Sequence, residues 1–432
     1  MAGLKKLRQR EEIDDRYKWN IAAMYGDEKE WEKDFKESEK MAEEFSAYSG
    51  RLSGGAEVLL SALRDRDKLW MKAEKVYVYS QMKKDEDNRR SRYQELNQRA
   101  QSLLAQISSA TAFFTPELTE LPEGTIEKYL EENGELREYS YMLLDLIRRK
   151  QHVLSKESEA LMAQMSEIAG APKQIFSMIN NADIKFGRIH DEDGDEIEVT
   201  HGNYISLMES SDRAVRKAAY ENLYAAYAAQ KNTLAATYNY NAKKNCIISK
   251  IRNYPSALAA ELDGDNIPEA VYRNLVKSVN ENLDVLHRYV GLRKKLLGVD
   301  EIRMYDMYAP LMDMPKRDVP YEEALEIVRK GLRPMGEDYL KVMNDGIETG
   351  WIDVFENYDS MPYVLLNYNN KFKDAFTIVH ELGHSMNSYY TREKQPYIYG
   401  GHSIFTAEVA STVNECLLMH DLLKDCDDRQ EK

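Results

Sequence analysis

Five residues, His380-Glu381-Leu382-Gly383-His384, constrain this chain more than any others. They sit in a stretch of helical periodicity that starts near Lys373. On a helix, residues i and i+4 point the same way, so both imidazoles reach one cation. Glu381 lies about 100° around the axis, close enough to hold a water on that cation. Two imidazoles and a flanking carboxylate are what a zinc-dependent hydrolase needs, as metal ligands and proton acceptor.

Two histidines do not close such a site. Catalytic zinc takes three protein ligands and leaves a position for water. The candidate third ligand is Glu408, in the helical-looking stretch Phe405-Thr406-Ala407-Glu408-Val409-Ala410-Ser411-Thr412. By spacing alone it is either that ligand or one of many carboxylates on a solvated helix face. Glu415, seven residues on and on the same face, reads as an outer partner of the site or as a surface carboxylate. Gly383 either lets another element pack close to the motif or is a plain core glycine. His402, beside Gly400-Gly401, reads as a substrate contact or an ordinary loop histidine. His152, His190, His201, His287 and His420 have no partner spacing and read as structural or surface residues.

The rest of the chain is dominated by helical signals. Trp31, Phe35, Met41, Phe45 and Tyr48 follow helical spacing after an N-cap at Asp27, and Ser53-Gly54-Gly55 ends that unit. From Val58 to Ala112 the apolar period continues, with a polar interruption at Lys83 to Arg90, which predicts a helical hairpin. A second helical region runs from about Ile126 to Ile168, is broken at Asn133-Gly134, and is expected to close at Gly170-Ala171-Pro172. Alternation at Ile184, Phe186 and Arg188, an acidic turn with Gly194, then Ile197 and Val199, predict a hairpin. Helices resume near Arg213, with punctuation at Pro255, Gly264 and Pro268. Short strands are expected around Ile302 to Pro310 and Tyr363 to Tyr368.

Composition sets limits. At 432 residues the chain can bury a large core in two or three lobes. A net charge of −15 argues against nucleic acid as the main partner. Three cysteines without CxxC spacing make no disulfide framework, which fits a reducing cytoplasm. The charged stretch from Met1 to Asp15 has no apolar core of a secretory signal, and no run approaches the roughly 20 apolar residues of a membrane span. The expectation is a cytoplasmic protein with no membrane or nucleic-acid partner; its oligomeric state is not readable.

Two blocks, Phe376-Thr377-Ile378-Val379-His380-Glu381-Leu382-Gly383-His384-Ser385-Met386 and Phe405-Thr406-Ala407-Glu408-Val409-Ala410-Ser411-Thr412-Val413-Asn414-Glu415, resemble oligoendopeptidase F, of the thimet-oligopeptidase-like zinc metallopeptidases. Pro362-Tyr363-Val364-Leu365-Leu366-Asn367-Tyr368 and Tyr305-Asp306-Met307-Tyr308-Ala309-Pro310 are similar to it as well. The resemblance implies a mainly α fold, two helical lobes around a deep channel, with a small β-sheet near the active site. It implies one zinc ion per chain, with His380, His384 and Glu408 as ligands and Glu381 as the catalytic glutamate. It implies oligopeptide substrates, because folded proteins cannot enter the channel. Tyr363, Leu365 and Asn367 would lie on a strand edge along the substrate, and the Tyr397 to Ser403 loop, with His402, would border the cleft. By the same resemblance, 1–112 is an N-terminal helical region, 113–182 the oligoendopeptidase F-type helical domain, and 183–432 the catalytic domain. Family members continue beyond the position of Lys432 with helices that supply His and Tyr side chains. The expectation is therefore weak activity and exposed apolar surface for the chain as it stands.

The function expected is a metalloendopeptidase that hydrolyses internal bonds of short peptides by a metal-activated water. The alternatives are a metallocarboxypeptidase of similar build and a non-catalytic peptide-binding protein.

Overall fold

Asp27 opens the first long helix, Glu28–Phe45, by accepting the backbone N–H groups of Lys29 and Glu30 with its carboxylate. Trp31, Phe35, Ser38, Ala42 and Phe45 form its buried face. That face packs on a helical hairpin, Ala56–Glu86 and Ser91–Thr111, whose break falls within the polar interruption read from the sequence. Trp31 is fully buried there, and its indole N–H donates to the Val76 carbonyl at 2.9 Å. Shorter helices at Phe114–Glu120 and Thr125–Glu132 extend the same core.

The computed structural model describes residues 14–87, 90–311, 318–353, 364–366, 368 and 370–425. They fall into two compact units, Met1–Arg148 with Lys316–Gln430, and Arg149–Pro315. The fold is mainly α, and among the described residues no helix is long and apolar enough to cross a membrane.

In the first unit a second core gathers helices Tyr321–Gly331, Glu337–Glu348, Phe372–Lys394 and Ile404–Asp425. Two-residue strands β3 (Ile352–Asp353) and β4 (Val364–Leu365) pair in parallel, and β4 abuts the Phe372–Lys394 helix. β4 falls in the predicted strand at Tyr363 to Tyr368; β3 was not expected from the sequence. The N-terminal segment is tied to this sheet. The Trp19 indole donates to the Val364 carbonyl at 3.1 Å, and the Asn20 N–H donates to the carbonyl of Gly350, whose φ of 83° favours a residue without Cβ and where a Cβ would stand 2.9 Å from Asn20 N.

The second unit contains the predicted hairpin. β1 (Arg188–His190) and β2 (Glu196–Glu198) are antiparallel, with Ile189 opposite Ile197. Two expectations fail here. The Lys156–Met178 helix does not close at Pro172 but runs through it. A proline removes one N–H and frees one carbonyl, here that of Ile168. Ile168 is exposed, so water can satisfy the freed group and the helix continues. Ile302 to Pro310 is not a strand; it holds a single 3₁₀ turn, Met304–Asp306. Asp306 is the reason. Its carboxylate is fully buried and binds Arg213, Arg216 and the Arg303 N–H, while Arg293 donates to the Asp306 and Ala309 carbonyls. These side-chain bonds satisfy the segment locally and leave no role for a strand partner. His152, read as structural, stacks on Tyr254 at 3.6 Å and contacts the Arg252 carbonyl.

Candidate metal centre and active site

The motif helix, Phe372–Lys394, starts where the Asp374 carboxylate accepts the Lys371 N–H at 2.9 Å, while the Asp374 N–H donates to the Lys371 backbone carbonyl at 2.9 Å. Ile378, Val379, Leu382 and Met386 are buried along one face. Each is worth roughly 1.5–3 kcal/mol in burial, so that face fixes the helix against its core. His380, Glu381 and His384 are consequently turned to another face and are half-buried. Gln395 and Pro396 end the helix.

The Ile404–Asp425 helix crosses the motif helix at Gly383. A Cβ on Gly383 would lie 2.5 Å from Ser411 Cα and 2.9 Å from both the Ala410 carbonyl and the Ser411 N. The glycine is therefore required for close packing, the first of the two readings its position allowed. Asn414, almost fully buried, bridges the helices by donating to the Val379 carbonyl at 3.2 Å and the Tyr339 hydroxyl at 2.9 Å.

This crossing brings three of the predicted residues together. His380 Nε2 and His384 Nε2 are 3.1 Å apart. Glu408 Oε2 lies 3.6 Å from the first and 3.8 Å from the second. A point equidistant from the three atoms is about 2.0 Å from each, the length of Zn–N and Zn–O bonds. Two imidazole nitrogens and a carboxylate oxygen thus fit a divalent ion by distance and by donor type. Glu381 is on the same turn, and none of the described residues forms a hydrogen bond or ion pair with its carboxylate.

Ser411 escaped the sequence reading. Its buried hydroxyl lies 3.1 Å from both the backbone carbonyl and Oε2 of Glu408, so its single proton can steady the carboxylate. The available signal was a small polar residue three positions after Glu408, on the same face. Glu415 Oε1 accepts from His380 Nδ1 at 2.5 Å.

His402 is half-buried on the loop before the Glu408 helix and is not part of the metal-binding group. Its Nδ1 is buried with no hydrogen-bond partner among the described residues. Tyr363 and Asn367 lie outside the described residues, and for Leu365 only the strand backbone is described.

The helical fold and the His/His/Glu group define a metallopeptidase-type protein. The model of peptidase family M3 matches residues 206–432, and that of oligopeptidase F matches residues 117–186. The chain is 41% identical to oligopeptidase PepF of Bacillus subtilis over all of its own length and 67% of that protein's. It is 38% identical to the group B oligopeptidase PepB of Streptococcus agalactiae, over 98% of this chain and 72% of the relative. Oligoendopeptidase F of Enterococcus faecium superposes with a TM-score of 0.66 at 34% identity, covering 93% of this chain and 69% of that one. A solved chain from Chlamydophila abortus superposes with a TM-score of 0.85 at 29% identity, covering 99% and 74%. The chain belongs to peptidase family M3, in its oligopeptidase F branch, and is a metalloendopeptidase.

Proposed function

We propose that the chain is a zinc-dependent endopeptidase of short peptides, in which His380, His384 and Glu408 hold one ion and Glu381 is the general base. The observation that carries this reading is the separation of the three ligand atoms, 3.1, 3.6 and 3.8 Å, beside the Glu381 carboxylate, which has no hydrogen-bond or ion-pair partner among the described residues. The ion, when bound, supplies Lewis acidity that polarises the scissile carbonyl and acidifies the attacking water. Glu381 takes a proton from that water and delivers it to the leaving amine nitrogen. One C–O bond forms, one C–N bond breaks, and no acyl-enzyme is required. One helical turn holds His380 and His384 at a fixed separation.

Peptide substrates follow from the family. A preference for short peptides, a cytoplasmic location and zinc as the ion are part of the proposal. So is the assignment of 183–432 as the catalytic segment behind helical segments 1–112 and 113–182. Tyr363, Leu365, Asn367 and His402 are proposed substrate contacts, with β4 offering a strand edge to an extended peptide.

The test is hydrolysis of a quenched fluorescent peptide blocked at both termini, by the wild type and by Glu381→Gln, with zinc content measured in parallel. The substitution should keep the zinc and lower kcat by about 10²–10⁴-fold, the usual contribution of a positioned base. Unchanged turnover in Glu381→Gln would remove Glu381 from the role. Cleavage confined to peptides with a free C-terminus would favour the carboxypeptidase alternative.

A further inference from the structure

We infer that Glu415 is a positioning residue for the metal centre: its carboxylate fixes the ring and tautomer of His380 so that Nε2 faces the ion. The inference rests on the metal-site reading above and extends it to a residue outside the ligand set.

The imidazole of His380 spans two carboxylates of one helix. Its Nε2 lies 3.6 Å from Glu408 Oε2, on the ligand side, and its Nδ1 lies 2.5 Å from Glu415 Oε1, on the far side. Glu408 and Glu415 are seven residues, or two helical turns, apart, so both meet the same ring from one face of the Ile404–Asp425 helix. An ionised carboxylate only accepts hydrogen bonds, so the proton of the neutral ring must sit on Nδ1. The Nε2 lone pair is then free and points at His384 Nε2 and Glu408. The negative charge behind the ring also makes Nε2 a better donor to a cation.

The arrangement is asymmetric. Among the described residues, none hydrogen-bonds Nδ1 of His384. Its place on the ligand side comes from the helical turn that it shares with His380. Both imidazoles are placed by their shared helical turn, but only that of His380 also meets a carboxylate at Nδ1, and that contact depends on the Gly383 crossing, because Glu415 belongs to the crossing helix.

The experiment uses the full chain. Zinc affinity is measured by competition with a chromophoric chelator for the wild type, Glu415→Ala and Glu415→Gln. Imidazole tautomers are read by ¹⁵N NMR in the metal-free protein. Glu415→Ala should weaken zinc by about 10–100-fold, the range for loss of an orienting partner. Glu415→Gln keeps an acceptor but loses the charge, and should fall between it and the wild type. The wild-type spectrum should place the His380 proton on Nδ1, and Glu415→Ala should mix the tautomers. A merely structural glutamate would lower the melting temperature and leave both readouts unchanged. Zinc affinity within about threefold of wild type, with an unaltered His380 tautomer, overturns the inference. If Glu415→Ala fails to fold, Glu415→Gln decides by the same two readouts. A wild-type chain that takes up no zinc removes the metal reading and this role with it; a mixed His380 tautomer in a zinc-binding wild type removes this role alone.

Discussion

Gly383→Ala should damage the metal centre without touching a ligand. The added Cβ would stand 2.5 Å from Ser411 Cα and 2.9 Å from Ala410 O and Ser411 N. Ordinary carbon contacts begin at about 3.5 Å, so the two helices must separate by roughly 1 Å. All three obstacles are backbone atoms, which cannot rotate away. Alanine gains about 1 kcal/mol in helix propensity over glycine. Overpacking a tight contact costs about 1–3 kcal/mol, so the net stability change is a loss of roughly 0–2 kcal/mol. The metal site is less forgiving, since ligand distances hold to about ±0.2 Å. A 1 Å shift of the Glu408 helix moves Glu408 and Glu415 together and should weaken zinc by roughly tenfold or more. A chelator competition assay, run alongside a thermal melt, separates the two effects. A variant that melts higher, by the propensity gain, and binds zinc within about threefold of wild type would refute the claim that this crossing sets the ligand geometry.

The buried Asp306 should make the second unit acid-sensitive. Burial opposes its charge, but Arg213, the Arg303 N–H and Arg216 prevail and hold its pKa down to about 2 from 3.8. A depressed carboxylate contributes its stability above the unfolded pKa and loses it as pH falls from about 4 to about 2, on the order of 2 kcal/mol here. Asp306→Asn should lower stability at neutral pH and flatten that acid slope, read from urea midpoints between pH 5 and 2.5; an unchanged slope contradicts the assignment. Trp31→Ala should cost about 3–5 kcal/mol, because it empties a fully buried site and removes the indole bond to the Val76 carbonyl, and a loss below 1 kcal/mol on thermal melting would contradict it.

Local periodicity was the readable part of this chain. Asp27 announced its helix because an N-cap acts on the backbone N–H groups two and three residues ahead. The Lys83 to Arg90 interruption marked the turn of the hairpin because it holds no apolar residue to continue the buried stripe. His380 and His384 were legible as a candidate metal-binding pair because both imidazoles lie on one helical turn. Glu408 was harder. Its partnership depends on a helix crossing whose only sequence trace is Gly383, a residue that also occurs in plain cores. Pro172 misled because a helix stop signal yields when solvent meets the freed carbonyl. Ile302 to Pro310 misled because its strand-like pattern is overruled by bonds from Arg213 and Arg216, whose positions lie far back in the sequence, and from the nearer Arg293. β3 was hidden for the opposite reason, since two residues carry no period.

Crystals of the zinc-loaded chain, measured on either side of the zinc absorption edge, test the central claim most directly. The account predicts one anomalous peak within about 2.0–2.2 Å of His380 Nε2, His384 Nε2 and a Glu408 carboxylate oxygen. A folded, zinc-saturated protein whose peak lies elsewhere, or whose Glu408 points away from it, would contradict the account.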